Sequence, residues 1–186
     1  MDIQEKLLKG NQAFIDGADK GLVKKLVEGQ KPYALIVTCS DSRVIPEKIF
    51  SCNLGEILVI RTAGNVINEG ELASIEYGIE HLCIQYVLIL GHTHCGAIRA
   101  ALRNDKGRFI SCITKNISQN IVGEKDEVQA ARLNAINQGL YLKRKFPDYF
   151  GEIKSGIYDI ENGQVSILDD QLDAKDQFIN IGFNEI

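Results

Sequence analysis

The chain has 186 residues, 45% of them hydrophobic and 25% charged, the make-up of one globular domain able to bury a core. A net charge of -4 with no block of Lys or Arg excludes a basic nucleic-acid-binding face, and no apolar run reaches the roughly 18 residues of a membrane span. Five cysteines at irregular spacing point to metal binding or catalysis in a reducing compartment, not to a disulfide framework.

Met1 to Leu8 mixes Asp2, Glu5 and Lys6 with its apolar residues and lacks the apolar core of a signal peptide, so a cytoplasmic protein is expected. Ile3, Leu7, Leu8 and Phe14 recur at helical spacing. They predict a helical arm within residues 1–30 of a single domain, 1–186, with a second short helix over Leu22–Val27. Ala34–Thr38 is a compact apolar run ending at Cys39 and reads as a buried strand. Glu56–Ile60 predicts a second strand closing on Arg61, and Tyr86–Leu90 a third closing on Gly91-His92. Helical patterns over Pro46–Phe50, Glu71–Leu82 and Gly96–Leu102 separate them. Val128–Phe146 follows with helical periodicity, ended by Pro147, and nothing is assigned between Leu102 and Val128. Near the end, Ile157–Ile160 and Val165–Leu168 flank an Asn162-Gly163 turn signal, so the last strand is expected to be antiparallel. The expected fold is α/β: a mostly parallel sheet of four strands plus an antiparallel C-terminal strand, flanked by helices.

Ligands in open α/β sheets bind beyond the carboxyl ends of the strands. Two of the predicted parallel strands end in groups that bind soft metals: Cys39-Ser40-Asp41-Ser42-Arg43, and His92-Thr93-His94-Cys95-Gly96. Cys39, His92 and Cys95 suit tetrahedral Zn²⁺, and three protein ligands leave the fourth position open, the mark of a catalytic zinc. Asp41 reaches the same cavity, and the planar fork of Arg43 is spaced to hold it ionised and directed. His94 is a rival ligand, although its side chain is expected to point elsewhere if His92 and Cys95 face the metal. Cys52, Cys83, Cys112 and His81 read as packing residues.

At these residues the sequence resembles the β class of carbonic anhydrases, nearest the plant-like branch. The blocks that carry the resemblance are Cys39-Ser40-Asp41-Ser42-Arg43-Val44, Arg61-Thr62-Ala63-Gly64-Asn65 and Gly91-His92-Thr93-His94-Cys95-Gly96-Ala97. The blocks come in the family's order, the resemblance runs from about Leu8 to Leu168, and Gly156-Ile157-Tyr158-Asp159 followed by Gly163 resembles the closing strand pair. The resemblance implies a lyase that hydrates CO2 reversibly to bicarbonate and a proton through a zinc-activated hydroxide. It implies zinc ligation by Cys39, His92 and Cys95, and a catalytic dyad of Asp41 and Arg43. It further implies substrate contacts from Gln30, Tyr77 and Gly96, pocket-wall positions for Asn65 and Val66, and a homodimer or homotetramer built with the N-terminal helix. His94 stands where the family commonly has a small or acidic residue, and Thr62 where it commonly has Asn.

Three other readings compete. Thiol-based phosphate chemistry needs a longer anion-cradling loop than the three residues between Cys39 and Arg43, and a thiol redox enzyme more naturally carries a Cys-x-x-Cys, absent here. The same scaffold is compatible with hydrolysis of a CO2 analogue such as carbon disulfide. A zinc-binding protein without activity leaves the Asp41/Arg43 pair without purpose.

Overall fold

A computed structural model describes residues 2–170, in two units divided between Lys31 and Pro32. In the first unit, α1 (Ile3–Gly17) leads to α2 (Lys20–Leu26). Asp19 caps α2, its carboxylate accepting from Gly21 N at 2.8 Å and Leu22 N at 3.1 Å. Neither helix buries a residue, and Ile3, Leu7 and Leu8 stand exposed along α1.

The second unit is built on a five-stranded sheet of order β2-β1-β3-β4-β5. Its members are β1 (Ala34–Cys39), β2 (Ile57–Thr62), β3 (Tyr86–His92), β4 (Glu152–Tyr158) and β5 (Val165–Leu168). The first four are parallel and β5 runs antiparallel to β4, the arrangement expected from the sequence. All of β1 is buried because both faces of the sheet are covered there. Leu35, Val37 and Cys39 face the larger core, while Ala34 and Ile36 join Leu88 and Leu90 in a smaller one. Full burial of a side chain such as Leu35 or Ile89 contributes roughly 1.5–3 kcal/mol.

The helices of this unit are α3 (Pro46–Ile49), α4 (Glu69–Glu76), α5 (Gly96–Leu102), α6 (Ile110–Asn120) and α7 (Glu127–Lys145). Asn68 and Glu71 start α4 with a reciprocal capping box. The single helix predicted over Glu71–Leu82 is instead α4 followed by one π turn, Tyr77–His81. This turn sets Gly78 against the sheet, where an added Cβ would stand 2.7 Å from Leu35 Cδ1 and 3.0 Å from Leu58 Cδ2. Helix α6 was not expected, although Ile110, Ile113, Ile117 and Ile121 recur at helical spacing and Ile113, Ile117 and Ile121 pack on the core. Strand β4 begins five residues before the predicted Ile157, its start hidden by the polar residues of Glu152-Ile153-Lys154-Ser155.

The β4–β5 connection is a six-residue loop, 159–164, because β4 ends at Tyr158 and not at the expected Ile160. Of the Asn162-Gly163 pair only Gly163 takes a positive φ (78°), and Asp159 N and O bond to Gln164 O and Gly163 N. Among the described residues, no helix is long and apolar enough to cross a membrane.

Gly139 lets α7 lie close on the sheet: a Cβ there would fall 2.5 Å from Ser155 Oγ, which is itself bonded to Ala135 O. Gly139→Ala gains about 1 kcal/mol of helix propensity but forces a buried contact apart. A net loss of roughly 1–2 kcal/mol is expected in denaturant unfolding, because overpacking a close contact outweighs propensity.

Candidate metal centre

The site lies where β1 and β3, neighbours in the sheet, both end. Cys39 closes β1, His92 closes β3, and Cys95 is the N-cap of α5. All three are buried, and their ligand atoms lie within 4.8 Å of one another. The sulfurs of Cys39 and Cys95 are 3.9 Å apart. Two thiolates on one tetrahedral zinc, each at about 2.3 Å, stand ~3.8 Å apart. His92 Nδ1 lies 2.8 Å from Thr93 O, which only accepts, so Nδ1 carries the proton and Nε2 keeps its lone pair. That Nε2 is buried and has no hydrogen-bond partner. A buried lone pair facing two thiols is what a metal ligand looks like before its ion.

The sulfurs are electrostatically coupled. The Cys95 thiol holds Cys39 down, to about 4, helped by the nearby His92 ring and by hydrogen bonds from the Gly64 and Asp41 backbones and opposed by burial. The same contact with Cys39, followed by burial, pushes Cys95 up, so the pair shares one proton. A cation between them is what lets both ionise.

Arg43 Nε and Nη2 grip the two Asp41 carboxylate oxygens at 3.0 and 2.7 Å, and Arg43 N adds a third bond at 2.9 Å. The Arg43 side chain is thus the main reason the Asp41 carboxyl sits well below its ordinary range. Arg43 is in turn anchored by donating to His94 O at 3.1 Å. Arg61, read from the sequence only as part of a motif, ties the loop from beneath: it donates to Cys39 O at 3.2 Å and Asp41 O at 2.6 Å.

The Asp41 pKa is lower folded than unfolded. Its contribution to stability is therefore present above about pH 3.9 and lost only as pH falls through the lower folded value. Arg43→Met is expected to return the Asp41 pKa toward ~3.9, read from the carboxyl ¹³C shift in a pH titration.

His94 does not join the cluster. It adopts a left-handed backbone (φ 56°), and its ring is held outside by Glu161 Oε1 at 2.8 Å on Nε2 and Arg99 Nη2 at 3.1 Å on Nδ1. Arg99 is itself bonded to Glu127 at 2.7 Å. The β4–β5 loop is latched to the ligand segment by Thr93, whose hydroxyl donates to Asp159 at 3.3 Å and accepts from Ile160 N at 3.0 Å.

Gly96 opens α5, where its N–H has no intrahelical acceptor, and an added Cβ would meet nothing within 4 Å. Asn65 and Val66 are buried just past the turn that contacts Cys39. Tyr77 is half exposed and lies against the His81 ring (centroids 5.3 Å apart), on the π turn beside the starts of β1 and β2, the end of the sheet opposite Cys39. Gln30 belongs to the first unit. Cys83 and Cys112, expected as packing residues, are exposed, and Cys52 is partly buried with its sulfur 3.0 Å from Tyr33 Oη.

The carbonic anhydrase family profile matches residues 34–146, more than half of the chain and all of the site. The chain belongs to the β-class carbonic anhydrase family. Carbonic anhydrase 2 of Mycobacterium tuberculosis is 37% identical over 132 residues, covering 64% of this chain and 64% of that protein. The chain thus spans less than two thirds of that relative's length. A Pseudomonas aeruginosa carbonic anhydrase is 30% identical over 181 residues, covering 80% of this chain and 78% of the relative. Among solved structures, the β-carbonic anhydrase CafA of Aspergillus fumigatus superposes with a TM-score of 0.79 at 26% identity, covering 91% of this chain and 92% of that one. A structure of tetrameric β-carbonic anhydrases from Sordaria macrospora gives 0.76 at 25% identity, covering 88% and 95%. The carbonic anhydrase match begins at Ala34, the first residue of β1.

Proposed function

We propose that this protein catalyses the reversible hydration of CO2 to bicarbonate and a proton, using zinc held by Cys39, His92 and Cys95. The observation that carries the reading is the partnerless, buried Nε2 of His92 converging with two thiol sulfurs at zinc-ligand spacing. When bound, zinc supplies a Lewis acid that makes water nucleophilic, its acidity tempered by two thiolates to the alkaline side of about pH 7.

The chain's own groups then direct the reaction. Asp41, kept ionised by Arg43, accepts a hydrogen bond from the attacking water and aims its lone pair at CO2. Arg43 holds the carboxylate turned toward itself and, through His94 O, fixes that geometry to the ligand segment. Gly96 offers its free N–H to bicarbonate. On the family resemblance, Gln30 and Tyr77 orient the substrate, Tyr77 doing so at the site of a second copy because it stands at the end of its own sheet opposite Cys39, and residues 1–30 act as an arm of the one catalytic domain.

We read the assembly as a homodimer or homotetramer, supported by the tetrameric Sordaria macrospora neighbours and by the exposed Ile3, Leu7 and Leu8 of α1. Unpaired cysteines agree with a reducing, cytoplasmic setting.

The test is stopped-flow CO2 hydration by the zinc-loaded chain, with carbon disulfide hydrolysis assayed on the same preparation. Rapid hydration of CO2 is expected. A fully zinc-loaded protein inert toward CO2 overturns the reading, and turnover of carbon disulfide alone moves the activity to that analogue.

A further inference from the structure

A set of amides on α6 and α7 takes no part in the chemistry above, yet two of them, Asn134 and Gln138, bond the segment Gly64–Ile67 and the others support those two. Asn134 is fully buried and Gln138 is 2% exposed. Asn134 Nδ2 donates to Gly64 O at 2.9 Å, and its Oδ1 accepts from Asn120 Nδ2 at 2.9 Å. Asn120 O in turn accepts from Asn137 Nδ2 at 2.8 Å. Gln138 Oε1 accepts from Ile67 N at 3.2 Å while its Nε2 donates to Asn116 Oδ1 at 2.6 Å. Polar side chains in an apolar core are costly unless their partners are in place, and here they are.

What Asn134 grips matters more than the grip. Gly64 has φ 69°, in the left-handed region, and an added Cβ would stand 2.7 Å from Ile117 Cδ1. Its N–H donates to Cys39 Sγ at 3.2 Å. The carbonyl and the N–H flank the same Cα, so anchoring one restricts the direction of the other. A donor held on a ligand sulfur spreads its charge and fixes its orientation, which tunes the hold on a metal. Gln138 serves Ile67, three residues further on, and has no such link to a ligand.

We propose that Asn134 is a positioning residue for the metal thiolate: by holding the Gly64 carbonyl it keeps the Gly64 N–H on Cys39 Sγ. Asn120, which bonds the Asn134 carbonyl oxygen, fixes the amide in the required orientation. The inference rests on the zinc reading above.

The experiment compares zinc affinity, by competition with a chromophoric chelator, for wild type, Asn134→Leu, Asn120→Ala and Gln138→Leu. The thiolate-to-metal band of the cobalt-substituted proteins is recorded alongside, and unfolding of the zinc-free proteins measures stability. Asn134→Leu is expected to bind zinc about 10- to 100-fold more weakly, the usual cost of losing a group that supports a ligand, and to shift the cobalt band. Asn120→Ala should show a smaller loss in the same direction. Gln138→Leu, which also breaks buried hydrogen bonds, should lose stability yet keep wild-type affinity and an unshifted band.

Equal affinity losses in Asn134→Leu and Gln138→Leu, or wild-type affinity in Asn134→Leu, overturn the proposal. Should Asn134→Leu fail to fold, wild-type affinity and band in Asn120→Ala do the same. A wild-type chain that takes up no zinc overturns the metal reading and this inference together, which separates the two failures.

Discussion

Cys95→Ala is expected to abolish stoichiometric zinc and to lower CO2 hydration on the order of 10³-fold or more, since the chemistry is metal-assisted. Its sulfur is buried and lies 3.9 Å from that of Cys39, so its removal leaves one thiol and one imidazole converging on an otherwise enclosed point. Two ligands do not complete a catalytic zinc site. Metal analysis, a hydration assay and a far-ultraviolet spectrum on one preparation check the expected loss. The spectrum separates loss of the ligand from loss of the fold, because Cys95 is also buried in the core. Full zinc in the variant sinks the ligand assignment.

Asp41→Asn separates the metal from the catalysis. Zinc content should stay full, because Asp41 faces Arg43 through three hydrogen bonds and is not one of the three converging ligands. Hydration should fall about 10²- to 10³-fold, the usual range for losing a positioned proton acceptor. Asparagine keeps one oxygen but forfeits the charge that Arg43 complements, and its NH₂ faces a donor where an acceptor is needed. Undiminished turnover with full zinc removes Asp41 from the mechanism.

Much of this site was legible in the sequence because its chemistry is local. Cys39, Asp41 and Arg43 lie within five residues, as do His92 and Cys95, and each block closes an apolar run that reads as a strand. Parallel strands that end on the same side bring such blocks together by topology, without any long-range guess. The first three parallel strands were legible as apolar runs, and the antiparallel direction of the last strand from the Asn162-Gly163 turn signal.

Other features were invisible for reasons equally physical. Strand β4 starts in a polar stretch, Glu152-Ile153-Lys154-Ser155, that shows no apolar run. The π turn at Tyr77 depends on how closely Gly78 approaches Leu35 and Leu58, which no local pattern reports. Cys83 is exposed and takes a left-handed backbone (φ 54°) between the π turn and β3, neither of which its apolar neighbours in sequence report.

The sequence by itself determined the Cys39, His92 and Cys95 cluster that could hold a metal, the Asp41–Arg43 pair and the strands that deliver them. Those follow from residue type and spacing. Only the tertiary structure decided which way His94 turns, that Arg61 ties Cys39 to Asp41, and that Asn134 reaches Gly64 across 70 positions. A hydrogen bond between distant segments depends on packing distance and side-chain direction, and neither is written in the local run of residues on either side.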